Sequence, residues 1–188
     1  IVRRLVGSEM CIRDRDKDTV NYDQMRYEGF GPNGTSIIVE ALTDNRNRTA
    51  SNVRSAFQKF GGSMGETGSV SHAFNHYGFV RYNKDVTSEE DFFNFSIEGG
   101  AEDCFIEEDT YEAVSTPETL SNLYNYLDKK FGEPVSSGFQ WKPVTYVAIE
   151  GDKLKSLINL LNELDNDEDV QQVFSNFEAS DEELAKFA

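Results

Sequence analysis

Between Gly78 and Trp141 the sequence sets out strand, helix, strand, strand, helix, strand, an order that restricts the topologies open to it. The first strand is 79-FVRYN-83. Thr87 and Glu90, three residues apart, have the spacing of a capping box, and 88-SEEDFFNFSIEGG-100 then reads as a short helix stopped by glycine. The runs 104-CFIEE-108 and 111-YEAVS-115 read as two further strands. Thr116, with Pro117 at the first helical position, opens a second helix; its apolar stripe is Leu120, Leu123, Tyr124, Leu127 and Phe131, and Gly132 ends it. Val135 to Trp141 supplies the last strand. This βαββαβ order is the split βαβ, or ferredoxin-like, unit.

The flanking segments read differently. Before the block, 23-DQMRYEG-29 and 36-SIIVEAL-42 form a hairpin through the turn 31-GPNG-34. The stretch 43-TDNRNRTASNVRSAFQKFGG-62 offers Asp44, Asn45, Asn47 and Thr49 as helix caps, then Val53, Ala56, Phe57 and Phe60 at helical spacing, then a glycine stop. The segment 69-SVSHAF-74 is expected to be a strand, separated from 79-FVRYN-83 by an NHYG turn. After the block come a strand at 144-VTYVAIE-150, a helix over Lys153 to Leu164 and a strand at 170-VQQVFSNF-177. One helix with one or two strands is too little for a domain, and the first half lacks a second helix, so the tail is expected to pack back on residues 19–77. The fold class that follows is α+β in two small domains. A discontinuous α/β-sandwich-like domain, 16–77 plus 142–180, carries the inserted ferredoxin-like domain, 78–141, and 181–188 is a tail.

Residues 1–15 are set apart from this scheme. They continue no periodicity and lack the apolar stretch of a signal peptide, and 7-GSEMCIRDR-15 looks like a translated sequencing adapter, which removes Cys11 from consideration. Cys11 and Cys104 show neither metal nor redox spacing, so a reducing, cytoplasmic setting is the expectation. No run of about 18 apolar residues exists to cross a membrane.

The formal net charge of −16 is unevenly placed. Residues 16–81 hold seven acids and seven bases, whereas 82–188 hold 25 acids and 7 bases. The second block repels phosphate, so a nucleic-acid footprint falls in the first half or in sequence outside this chain.

Several strings together resemble one family: 27-YEGFGPNG-34, 43-TDNRNRT-49, 53-VRSAF-57, 61-GGSMGETGSV-70, 99-GGAED-103 and 169-DVQQVFSNF-177. Over about residues 19–184 the chain resembles the YebC/PmpR family, which includes the mitochondrial translational activator of cytochrome oxidase. The resemblance implies a basic N-terminal helical domain followed by two α+β domains, the middle one completed by the C-terminal segment. The lysine-rich N-terminal domain with its GHSKW-type opening is missing here, so the chain is expected to be a truncated member. The implied function is non-enzymatic regulation of gene expression, through DNA as a transcriptional regulator or through RNA and the ribosome as a translation factor.

The candidate nucleic-acid contacts are Asn45, Arg46, Asn47, Arg48, Arg54 and Lys59. Arg46 and Arg48 stand before a helix N-terminus, where guanidinium and backbone donors can grip phosphate. The plainer reading is capping, with these arginines solvated or paired to Glu40 and Glu66 and with Arg54 and Lys59 as ordinary solvated charges. The glycine-rich 61–70 lacks the context of a nucleotide loop and reads as a helix stop and flexible connection, with Gly65 and Gly68 left open to a close approach. His72 and His76 fit strand and turn better than a metal pair. The acidic 163-ELDNDEDV-170 lacks the glycine and terminal glutamate of a calcium loop and reads as a solvated connection. No catalytic constellation, metal site or cofactor site is expected. The partners expected are nucleic acid (DNA, or rRNA and the ribosome) and a basic protein for the acidic domain, with no membrane. An acidic protein-interaction module without nucleic acid is the third reading.

Overall fold

Hydrophobic alternation in the first half builds a sheet. The computed structural model describes residues 21–185; the adapter-like segment 1–15 and the last three residues lie outside them. Strands β1 (Asp23–Phe30) and β2 (Ser36–Thr43) form an antiparallel hairpin, closed by a 3-10 turn at Pro32–Gly34 in which Asn33 takes φ 63°. Helix α1 (Arg46–Lys59) follows, and the short β3 (Ser63–Met64) pairs back on β1.

Residues 69–73 are not a strand. The backbone turns there, with a 3-10 turn at Ser71–Ala73, because the Val70 and Ser71 N–H groups donate to the Glu28 carboxylate. Nor does NHYG turn: β4 (Phe74–Asn83) runs straight through it. Gly78 is there for space, since a Cβ would lie 2.7 Å from the Leu120 Cβ.

Next come α2 (Glu89–Glu98), β5 (Asp103–Ile106), β6 (Thr110–Ser115), α3 (Leu120–Phe131) and β7 (Ser136–Pro143). Both helix starts fall later than the cap spacings suggest. Ser88, not Thr87, caps α2, its Oγ accepting the Asp91 N–H at 3.2 Å. A turn held by the Thr116 carbonyl precedes α3, whose N-cap is Thr119. The chain ends with β8 (Val147–Ala148), α4 (Gly151–Asp165), β9 (Val170–Ser175), β10 (Phe177–Glu178) and α5 (Asp181–Leu184). The strand expected over 144–150 shrinks to two residues, paired in parallel with β10.

The described residues fall into two units, with the chain passing between them inside β4 and again inside β7. In the first, residues 76–140, the sheet order β5-β6-β4-β7 is the antiparallel ferredoxin-like order. Val80, Tyr82, Phe92, Tyr111, Ala113, Leu123 and Leu127 form its core. Phe92 stacks on Tyr111 at 4.9 Å, and Phe131 meets Tyr82 edge-on at 5.6 Å.

The second unit, residues 21–75 with 141–185, has the antiparallel sheet β3-β1-β2-β9, so a strand that follows the inserted unit completes a sheet begun before it. Helices α1 and α4 cover one face through Val53, Phe57, Leu154, Leu157, Leu160 and Leu164. Ile38, Val70, Phe74 and Trp141 pack on the other. Strand β2 is buried on both faces, which is why 36-SIIVEAL-42 reads as a nearly continuous apolar run.

Candidate nucleic-acid interface

Helix α1 begins two residues after β2 ends, and side chains from three segments fix that corner. Buried Thr43 accepts the Asn45 N–H on its Oγ1 at 2.9 Å. Asn45 is the N-cap, with Oδ1 receiving the Arg48 N–H at 3.1 Å. Thr49, a cap candidate by sequence, is instead buried in the first turn. Its hydroxyl donates to Asp169 Oδ2 at 2.7 Å, and Thr43 Oγ1 lies 3.2 Å from the same oxygen.

Asp169 is therefore no part of a solvated connection, contrary to the sequence expectation for 163–170. It is buried, and the Leu42 N–H bonds its carbonyl at 2.8 Å. The Thr49 hydroxyl does most to hold its carboxyl below the usual range, against the upward push of burial and with help from Arg48 and Thr43.

The two arginines of the loop are oriented by acids, and not by Glu40 and Glu66. Arg46 makes a forked contact with Asp23 at the start of β1, Nε to Oδ2 at 2.8 Å and Nη2 to Oδ1 at 2.9 Å. Arg48 directs Nη2 to both oxygens of Asp169 at 2.9 Å and to Asp44 at 2.8 Å. Glu40 is occupied otherwise, accepting from the Trp141 indole N–H at 2.9 Å. The Arg46 and Arg48 side chains remain 61% and 49% exposed. Nη1 of Arg46, and Nε and Nη1 of Arg48, have no acceptor among the described residues. No acid lies within the first turn of α1 itself; the carboxylates at its N-terminus, Asp44 and Asp169, come from outside the helix.

The other candidates separate along the helix. Asn47 is exposed beside the cap, and Arg54 is exposed with no ion pair among the described residues. Lys59 pairs with Glu163 of α4 at 2.8 Å and lies over the Phe60 ring. Asn45, Arg46, Asn47 and Arg48 thus form one group; Lys59 belongs to the α1–α4 contact.

The structure adds a residue that the sequence did not single out. Glu28 is fully buried between Tyr27 and Gly29, and its Oε2 accepts the Val70 and Ser71 N–H groups at 2.9 Å each. Burial pushes its carboxyl up, but the Val70, Gly68 and Ser71 backbone donors and the Arg26 charge outweigh this and hold it below the ordinary range. The glycine-rich stretch is therefore tied down along its second half. The visible signal was an acid inside an apolar strand.

His72 lies in the 3-10 turn and His76 in β4, where its ring is 5.7 Å from Phe139. Among the described residues no cluster of three potential metal ligands occurs, and no helix is long and apolar enough to cross a membrane.

With this geometry in place, comparison with known proteins shows that residues 22–177 match the family described as the second and third domain of TACO1/YebC. The chain belongs to the TACO1/YebC family. A solved structure similar to it, a conserved hypothetical protein Aq1575 from Aquifex aeolicus, is 37% identical with a TM-score of 0.74. That match covers 85% of this chain and 66% of the other, so the chain spans just under two thirds of the length of that relative. TACO1/YebC is a regulatory family. The matched residues take in both units, including the α1 corner, the Glu28 clasp and Asp169.

Proposed function

We propose that this chain is part of a non-enzymatic, cytoplasmic regulator of gene expression, a YebC/PmpR-like DNA-binding transcriptional regulator, whose described residues touch the nucleic-acid backbone through the first turns of α1. The observation that carries this reading is that Asp23 holds Nε and Nη2 of Arg46, and Asp169 with Asp44 holds Nη2 of Arg48, while both side chains stay about half exposed and Nη1 of each has no acceptor among the described residues. Acids placed behind a guanidinium orient it, and an oriented fork loses less entropy on meeting a phosphate. Family membership and the exposed Arg54 and Asn47 on the same helix support the same reading. Because each of the two arginines has an acid beside it, this corner supplies register more than long-range attraction. Bulk affinity then comes from cations outside the described residues.

A second reading, a ribosome-associated translation factor binding RNA, is favoured by the charge of residues 76–140. Fourteen acids against four bases suit a basic protein of a ribonucleoprotein better than bare duplex. Binding of the protein to labelled duplex DNA and to labelled single-stranded RNA, together with cosedimentation with ribosomes, separates the two. Duplex binding without cosedimentation is the result expected of the first; cosedimentation with no duplex binding would replace it by the second.

A further inference from the structure

In the ferredoxin-like unit β5 is an edge strand, since the order β5-β6-β4-β7 leaves its outer side unpaired among the described residues. Helix α2 packs over β5 and β6. Its Phe92 and Ser96 are buried toward the sheet, and Phe95 faces α3, meeting Phe131 at 5.7 Å. At about 100° per residue, Phe93 and Ile97 then project on the side away from α3, along the β5 edge. They are 50% and 46% exposed.

Strand register brings a third apolar side chain to the same face. Cys104 opposes Ala113 and Ile106 opposes Tyr111, and both of those partners belong to the core under the helices. Ile106 therefore stands on the helix-covered face of the edge strand, yet is 52% exposed. Three large apolar groups thus border an open strand edge, the pattern of a surface that receives another chain.

Charge decides what kind of chain. Residues 76–140 carry a net charge of −10, and the cations present are largely used within the unit. Arg81 pairs with Glu112, Lys84 lies over Tyr111 and Lys130 over Phe95. Among the described residues Glu89, Glu90, Asp103 and Glu107 around the edge have no cation. Nucleic acid is repelled by such a rim, and so is a second copy of the chain bearing the same charge.

We infer that the β5 edge receives an extended, basic segment of a partner protein as an added strand. Its apolar side chains rest on Phe93, Ile97 and Ile106, and its alternate lysines or arginines face the acidic rim, as period-two side chains require. Until then the Asp103 carboxylate occupies the Cys104 N–H at 2.8 Å, shielding the edge against chance pairing.

The test uses the whole chain and a fluorescent octapeptide of alternating Lys and Val, read by anisotropy. Saturable binding is expected, weakened about tenfold or more in F93S/I97S, as for loss of a central apolar anchor. Methylating alternate peptide nitrogens should weaken it similarly by removing strand donors. Both substitutions are at exposed positions, and an unchanged thermal unfolding curve verifies the fold. No binding, equal binding of a Lys–Gly peptide of the same charge, or indifference to N-methylation would overturn the inference. Sedimentation showing a dimer that F93S/I97S dissociates would assign the face to self-association instead.

Discussion

Two carboxylates organise the unit that carries the α1 corner, and each makes a prediction from its own surroundings. Glu28 is buried, with Oε2 accepting two backbone N–H groups and Oε1 3.3 Å from the Arg26 Nε, and it is held below its ordinary value near 4.5. A carboxyl depressed on folding adds stability above its unfolded pKa, and that contribution is lost as pH falls through the lower folded value. Glu28→Gln keeps the shape and removes the charge. It should cost about 1–3 kcal/mol at pH 7, the range for a buried charged hydrogen-bonding group. Urea unfolding of both proteins at pH 7 and again near pH 3 checks this: the gap should narrow in acid, and an equal gap at both pH values would count against it. Asp169 follows the same sign, being held down by Thr49, Arg48 and Thr43. Asp169→Asn should lower the urea midpoint at pH 7 and leave Arg48 paired with Asp44 alone.

At the scale of elements, Asn45 does the capping that four residues offered. Asn45→Ala should cost about 1 kcal/mol, the usual value of an N-cap, while Asn47→Ala should leave the midpoint unchanged. Paired thermal melts decide it, and equal losses in the two variants would refute the assignment. Much at this scale was legible in the sequence. The βαββαβ order, the β1–β2 hairpin, and the stripes of α1, α3 and α4 all rest on local periodicity, which one chain displays by itself. What misled was punctuation. Gly78 looked like a turn residue, but its lack of a side chain serves the approach of Leu120 across a strand. The segment 69–74 looked like a strand because alternation says nothing of a distant Glu28 that takes its N–H groups. Asp169 was hidden for the same reason: among five acids in 163–169 only the fold places one against Thr43, Thr49 and Arg48. The arginine pair was legible as a candidate contact, whereas its distant partner acids, Asp23 and Asp169, 23 and 121 residues away in sequence, were not.

For the whole molecule the charge distribution is the limiting fact. Acids outnumber bases by 34 to 18, so the described residues add few phosphate contacts to any complex. Arg46 and Arg48 account for two of them on this account. Each phosphate contact contributes about 0.9 to the slope of log affinity against log salt for duplex DNA. The decisive measurement is that slope for the protein and for R46A/R48A on the same duplex. The account predicts weaker binding by the variant and a slope shallower by roughly 1–2. Identical slopes and affinities would contradict it and return Arg46 and Arg48 to a purely structural role at the start of α1.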